Sequence, residues 1–489
     1  GTWVIEEQHR SNPVHLNGTT KHESDDEPID FCVWVGDKKP TINRAKLLYW
    51  LERMGIRQLR VNKDGLCINI SIVNNIVQKV DKVFLSAMVR DYITDPIFYE
   101  VFLRGADAYL SDSMLRFLPV EDIKWNQDTK TESWVYFRNT AVMVSKGDPT
   151  TVDYNNLPGC IWKSQILDRD FTYMTDTEQF ENCEFARFIA AISGAASGTQ
   201  DGLDKSFALM SVIGYLLHTF KDPTLPNAIV LTDEIISDNP QGGTGKGIFI
   251  KALLKFRKHH YIDGKSFTFD RSFLWMGIDL DTKLVVMDDV RRNFDFERLF
   301  SVITEGIQVE NKGKNTFYIP FEASPKFIIT ANAAIRGEGN SHERRKLEIE
   351  FSNYFNKTST PYTLFGHHLY DDWDSHEWVK FDNYILCCIQ YYFIKGLVAP
   401  KSVNIEYKKL SANTSSEFME WALDNIRTGT VHGKRAFYES FVNDCPEQKR
   451  FVSSLRFYAF VANYCQFHNI IVKQERINSI HSFAFFKQS

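Results

Sequence analysis

In the middle of this chain an apolar run at 228–231 leads into a glycine-rich stretch from Asn239 to Gly247 and then a helical pattern over 247–256. That order confines the centre of the protein to a strand, loop and helix unit of the phosphate-binding kind. The loop reads Asn-Pro-Gln-Gly-Gly-Thr-Gly-Lys-Gly. Its glycines let backbone N–H groups turn inward onto an anion, and Lys246 can reach the outer phosphates, so Gly242, Gly243, Thr244, Gly245, Lys246 and Gly247 form the candidate phosphate cradle. The stretch departs from the strict P-loop at two places. Pro240 stands where that pattern wants Gly, and Gly247 stands where it wants the Ser or Thr whose hydroxyl normally ligates Mg²⁺. Taken alone, a purely structural glycine turn is the plainer alternative.

About forty residues on, the run from Lys283 to Asp289 reads Lys-Leu-Val-Val-Met-Asp-Asp: four apolar residues of a buried parallel strand ending in two carboxylates. A hard cation takes oxygen ligands, so Asp288 is the candidate to hold Mg²⁺, directly or through water. Asp289 is the candidate to polarise an attacking water. A strand ending in a solvated acidic turn is the alternative.

Composition removes several classes of function. Lys and Arg number 57 against 62 Asp and Glu, a net charge of -5, so the molecule cannot hold nucleic acid by bulk charge and needs a local basic feature. The 8 cysteines lack a CxxC pair and any His at finger spacing, which reads as reduced thiols in a cytoplasmic protein without a zinc site. The most apolar stretch, 384–394, is broken by Gln390 and falls short of the ~20 residues that cross a bilayer, so no membrane span is expected. The chain opens Gly-Thr with no charged and apolar leader after it, which argues against a secretory signal and for a tag scar or an excised fragment.

At 489 residues the chain has room for about three domains. Residues 1–155 read as a mixed α/β region, with strands at 31–35, 59–61, 66–70, 134–137 and 140–144 and helices over 42–54 and 75–92. Residues 156–225 read as a helical collar or linker with helices at 183–192 and 206–220, joined by a flexible Gly-, Ala- and Ser-rich connection at 194–202. The core spans 226–355, a helical lid or linker 356–404, and a winged-helix-like domain 405–489, whose helix at 453–466 precedes paired strands at 470–474 and 482–487.

From Asn239 to Phe351 the order of features resembles the superfamily 3 helicases, the AAA+ branch used by small DNA viruses, phages and plasmids, and is most similar to the helicase half of phage and poxvirus-like primase-helicases. The carriers are the glycine loop, Phe273-Leu-Trp275, the carboxylate strand, 303–320, the run from Lys326 to Asn332 (Lys-Phe-Ile-Ile-Thr-Ala-Asn), and Arg344-Arg345. The resemblance implies an α/β AAA+ P-loop ATPase core using ATP and Mg²⁺. Asn332 would orient the lytic water, and Arg344 or Arg345 would act as an arginine finger on a neighbouring subunit's nucleotide. The segment from Gly306 with its return strand to Ile319 resembles the family's hairpin, putting Lys312 and Lys314 at a tip that touches DNA phosphates. A homohexameric ring on single-stranded or forked DNA follows from the same resemblance, with Lys473, Arg476 or Lys487 available for fork contacts. A primase-polymerase domain upstream in the parent chain is a further implied partner. Against the helicase stands a DNA-binding initiator or loader in which ATP switches assembly without processive unwinding. Solvated surface lysines, a structural ion-pair cluster around the arginines and an Asn-capped turn are the plainer alternatives residue by residue.

Overall fold

The computed structural model describes residues 30–61, 67–175, 182–225, 228–234, 243–269, 273–291, 294–310, 316–332, 342, 344–400, 410, 413–477 and 479–487. At its centre five parallel strands run in the order β2-β3-β6-β1-β7: β1 (Ala228–Asp233), β2 (His259–Asp263), β3 (Leu284–Val290), β6 (Lys326–Ala331) and β7 (Lys346–Phe351). Between β3 and β6 the chain inserts an antiparallel hairpin of β4 (Gly306–Val309) and β5 (Phe317–Pro320). The protein is thus of the α/β class.

Because strand side chains alternate, the inner strands β1, β3 and β6 each feed two cores, which is why they read as continuous apolar runs. Ile229, Leu231, Val286 and Ile328 face one way, into a core shared with α1 (Glu184–Ser193), α2 (Gln200–Leu217), α3 (Lys246–Leu254) and α4 (Ser375–Lys395). Val230, Val285, Met287 and Ile329 face the other, against Trp275, Phe296 and the hairpin residues Ile307, Val309 and Ile319. Helix α4 lies deep in the first core: Phe381, Ile385, Cys388 and Ile389 are fully buried, and a Cβ added to Gly214 of α2 would stand 2.3 Å from the Cys388 carbonyl oxygen. Only glycine permits that crossing.

N-terminal to these helices, strands Ile56–Arg60, Cys67–Val73 and Ile76–Lys79 form an antiparallel meander. A second antiparallel group, Ser133–Phe137, Ala141–Val144 and Thr150–Val152, packs Val135, Phe137, Val142 and Val144 into the helix-lined core. Short strands Ile161–Trp162 and Ile166–Leu167 pair back onto the two groups, onto Ile76–Lys79 and Ser133–Phe137 respectively. The C-terminal part has helices Ser416–Asn425, Lys434–Asp444 and Ser454–Phe467 on a three-stranded sheet, with Phe418, Phe441, Phe457, Phe483 and Phe485 as its separate core. Lys473, Arg476 and Lys487 are exposed on its last two strands.

Two expectations are corrected. The helix expected over 75–92 begins only at Lys82; Ile76–Lys79 is a strand. Asn74 and Asn75 both take positive φ (50° and 62°), the two-residue turn that suits a hairpin, and Asp81 then caps the helix by accepting from the Phe84 amide at 2.8 Å. The connection at 194–202 is a tight ordered turn rather than a flexible one. It holds a 3₁₀ turn at Ala195–Ser197, α2 already starts at Gln200, and a Cβ at Gly202 would strike the Gly194 backbone at 2.5 Å. The C-terminal sheet also has a third strand, Val431–Gly433, that no pattern announced. Among the described residues no helix is long and apolar enough to cross a membrane, and all eight cysteines are free thiols.

The end of α2 is closed by buried charge. Lys326, at the start of β6, donates to the carbonyls of Tyr215 (2.6 Å) and His218 (2.5 Å), and Arg257, just past α3, donates to Leu217 O (2.8 Å) and Trp134 O (2.9 Å). Asp128 accepts from the Thr219 amide, the Trp134 amide and the Ser133 hydroxyl at 2.7 to 2.8 Å. His218 bonds Thr129 O at 2.7 Å, so Nε2 carries the proton, while Nδ1 is buried without a hydrogen-bond partner. Burial pushes its pKa down to about 4; Asp128 pulls upward, Lys326 and Arg257 push downward, and the Thr129 bond raises it.

A folded-state pKa below the unfolded one means the unfolded chain binds the extra proton, so stability falls as pH drops from about 6.5 toward 4 and is unaffected above. We expect His218→Gln to remove about 3 kcal/mol of that pH-dependent loss, measured as the difference between urea midpoints at pH 7.5 and 4.5 in variant and native chains. Equal pH slopes in the two would show that His218 stays neutral in neither or both states.

Candidate phosphate and carboxylate site

Three segments converge at the carboxyl ends of β1, β3 and β6. β1 ends in Asp233, and β7 lies on its other flank from β6, so the edge where the glycine loop emerges is a place at which successive connections diverge to opposite sides of the sheet, the usual location of ligand sites in such sheets. Gly243 and Gly245 have φ of 101° and 103°, which side chains rarely adopt. Gly245 is also sterically fixed: a Cβ there would lie 2.9 Å from Phe188 and 3.1 Å from Ile192 of α1. Lys246 opens α3. At Gly247 an added Cβ meets nothing within 4 Å. Gly242 lies outside the described residues.

One chain of contacts links the loop to the carboxylates. Asp233 accepts from the Thr244 hydroxyl at 2.6 Å and from the Lys246 ammonium at 2.5 Å. Lys246 also donates to Asn332 Oδ1 (3.2 Å), and Asn332 Nδ2 donates to Asp289 Oδ1 (2.8 Å). The Asp289 amide donates to Thr330 Oγ1 and the Thr330 hydroxyl donates to Asp288 Oδ1, each at 2.6 Å. Lys265 is paired with the far oxygen of Asp289, and Tyr261 donates to the far oxygen of Asp288. That pairing raises the Lys265 pKa, and burial, followed by the Asp288 hydrogen bond, raises that of the Tyr261 phenol.

Asp289 holds a positive φ of 56°, and the β3–β6 register shifts between Met287 and Val290. A non-glycine residue in this region costs of order 1 kcal/mol and is concentrated at functional sites. The consequence here is that both consecutive carboxylates reach the same edge of the sheet, where strand alternation would have sent one away. The donor set of Asp288, Asp289 and Thr330 consists of hard oxygens, and it fits Mg²⁺, which is held by one or two carboxylates with water and phosphate completing the shell. Among the described residues no group of three or more His, Cys, Asp and Glu forms a metal cage of its own.

The arginines stand elsewhere. Arg345 O accepts from the Ala228 amide at 2.6 Å, which puts Arg344 and Arg345 at the amino edge of the sheet, a strand length of roughly 20 Å from the carboxylate edge. The Arg345 guanidinium lies 4.5 Å over the Phe300 ring, whereas Arg344 is exposed. Lys312 and Lys314 fall outside the described residues; the strands that flank them in the sequence, β4 and β5, pair in register from Gly306–Pro320 to Val309–Phe317. Sequence reasoning brought together Lys246, Asp288, Asp289 and Asn332 and missed Asp233, Thr330, Tyr261 and Lys265. The Asp233-Glu234 pair directly after an apolar strand was a usable signal for the first.

Residues 239–345, a minority of the chain, match the model of a family of unknown function (DUF5906). None of the curated proteins matches. Among solved structures, the NrS-1 C-terminal region in an apo form is similar at 12% identity and a TM-score of 0.41, over 90% of this chain and 98% of that one. JCV helicase is similar at 15% identity and a TM-score of 0.22, over 52% of this chain and 70% of that one. What this chain binds must be decided from its own side chains.

Two expectations follow from the geometry. Gly247→Thr should fold with a stability within about 0.5 kcal/mol of native, since space is open and a helix position loses a glycine, while Gly245→Ala should cost more than about 1 kcal/mol. Urea denaturation of both checks this, and a tolerated Gly245→Ala would show that the loop does not rest on α1. Separately, Asp233→Asn removes the negative charge held against Lys246 and should tighten the binding of inorganic tripolyphosphate about tenfold or more, read by titration calorimetry at fixed salt. Unchanged affinity would mean that Asp233 leaves Lys246 whenever an anion arrives.

Proposed function

We propose that this chain is an ATP-driven DNA motor of the superfamily 3 helicase type, with an AAA+ core over 226–355 that works as a hexameric ring on single-stranded DNA. The observation that carries the reading is the continuous contact chain Thr244, Asp233, Lys246, Asn332, Asp289, Thr330 and Asp288 at one edge of a parallel sheet, directly beside a glycine loop. A phosphate-binding lysine, an amide that can orient water and two adjacent carboxylates are the parts that nucleotide hydrolysis needs.

Backbone N–H groups of the loop and Lys246 bind the outer phosphates. Mg²⁺, when bound at Asp288, neutralises developing charge on the phosphate oxygens. Asp289, held on its two sides by Asn332 and Lys265, takes the proton of the attacking water, and Asn332 orients that water. Arg344, exposed and far from its own site, reaches the nucleotide of the next subunit in a head-to-tail ring. Lys312 and Lys314, which follow β4 and precede β5 in the sequence, contact DNA phosphates without reading sequence. The C-terminal helices and strands, read as a winged-helix-like domain, offer Lys473, Arg476 and Lys487 to the fork.

The test is steady-state ATP hydrolysis with and without single-stranded DNA. Native protein should turn over faster with DNA, and Asp289→Asn and Arg344→Ala should each lose about 100-fold or more. Mixing the two inactive variants should restore part of the activity, because the carboxylate of one subunit then meets the arginine of the other. Loss in both with no recovery on mixing would sink the shared site, and turnover without strand displacement on a forked substrate would favour a loader over a helicase.

A further inference from the structure

Asp233, the last residue of β1, faces Lys246, and Glu234, just past the strand, faces a cleft of about 390 Å³ between the α1–α2 turn and the end of β7. The cleft is of small-molecule size and is lined by Ser193, Ser197, Lys205, Glu234, Ser352 and Tyr354, among others. It is tied to the phosphate loop by packing. Tyr354, 40% exposed, meets Phe355 edge-on at 5.1 Å; Phe355 stacks on Phe188 at 5.7 Å; and Phe188 is the ring on which Gly245 rests. The backbone does the same, since Ser352 N donates to Ile192 O at 2.7 Å and Glu234 N donates to Phe351 O at 2.9 Å.

The polar groups of the cleft are largely committed. The hydroxyls of Ser193, Ser197 and Ser352 donate to the carbonyls of Ala190, Gly194 and Ala191. Lys205 is held by Asp201 at 3.0 Å and Glu234 at 3.9 Å. With the three serine protons spent on the backbone, the cleft offers the Tyr354 ring and the Asp201 and Glu234 carboxylates, and its donors are few: the hydroxyls of Thr199 and Tyr354 and the paired Lys205 ammonium. A ring face accepts any base, and a carboxylate accepts the hydroxyls of a ribose.

We propose that this cleft holds the nucleoside half of the nucleotide, with the base on Tyr354 and the ribose hydroxyls on Glu234, so that the site selects the sugar and tolerates the base. The inference rests on the phosphate site proposed above. Binding of Mg·ATP, Mg·dATP, Mg·GTP and inorganic tripolyphosphate to the full chain, followed by titration calorimetry, tests it.

Native protein should bind ATP and GTP within about threefold of each other, since stacking is tolerant of base identity. Tyr354→Ala should weaken ATP about tenfold and leave tripolyphosphate unchanged, while Tyr354→Phe keeps native affinity. Glu234→Gln should bring ATP and dATP to the same affinity. Native ATP affinity in both Tyr354→Ala and Glu234→Gln, with binding still abolished by Lys246→Ala, overturns the cleft and leaves the phosphate site standing. Failure of native protein to bind either ATP or tripolyphosphate, or indifference of both to Lys246→Ala, overturns the phosphate site and the cleft with it.

Discussion

The buried charges that close the C-terminus of α2 fix the geometry on which everything else rests. A helix ends with unpaired carbonyls and a partial negative charge, and here those carbonyls receive Lys326 from the central sheet and Arg257 from the end of α3. Asp128 joins the N-terminal strands to the same point through the Thr219 and Trp134 amides. Burying such groups gains little net energy, but removing any one leaves uncompensated charge and costs several kcal/mol, so the arrangement tolerates few alternatives. It therefore sets the register between helices and sheet more than it adds to stability. With α2 pinned at this end, α1 lies beneath the glycine loop, where Phe188 and Ile192 leave room for Gly245 and for no larger residue.

The opposite edge of the sheet is built on different terms. There the polar groups are only partly buried, and they are paired with one another in a sequence that alternates carboxylate and donor from Asp233 to Tyr261. Thr330 matters most in this row, because its hydroxyl accepts from the Asp289 amide and donates to the Asp288 carboxylate, so a single β6 side chain sets both acids. The left-handed backbone at Asp289 persists because these contacts and the Gly264 amide, bonded to Asp288 O at 2.6 Å, over-determine it. A Cβ at Gly264 would fall 2.6 Å from that same oxygen, which ties the loop after β2 to the bulge. Ordered donors aimed at carboxylates are what a preorganised polar site requires, and they cost no rearrangement at the moment of use.

How far all this could be read beforehand depended on whether the signal was local. The strands β1, β3 and β6 and the helix after the glycine loop were legible because both faces of the sheet are buried and the runs are continuously apolar. Asp288, Asp289 and Asn332 were legible because each ends such a run. Asp233 follows such a run too, and was passed over because its meaning comes from a lysine 13 residues on. Thr330 and Tyr261 act across strand pairs and carry no mark in their own segments. The helix expected over 75–92 failed for a different reason: Asn74-Asn75 is a recognisable hairpin turn, and the apolar residues around it satisfy helix and strand spacing alike. Helix α4 was read as part of a lid or linker because its aromatic content says nothing of what it packs on; its place in the core shows in Gly214 and the crossing it allows.

The two edges of the sheet also divide labour between subunits in the proposed motor. Arg345 is drawn inward, its guanidinium over Phe300 beside the buried His342, whose Nε2 bonds Glu297 at 3.0 Å. A cation committed to an aromatic face, in a residue whose main-chain carbonyl accepts from the first amide of β1, serves packing. Arg344, its neighbour, projects to solvent at the edge remote from Lys246, and no motion of a six-residue strand within a packed sheet brings it round to its own carboxylates. If it meets a nucleotide, that nucleotide belongs to another copy whose carboxylate edge abuts this amino edge. Such a contact joins two different surfaces, and repeating it produces a closed ring or an open helix according to the rotation between copies. On this account the separation within one chain favours Arg344 over Arg345 as the residue that acts across subunits, a choice the adjacent pair in the sequence leaves open.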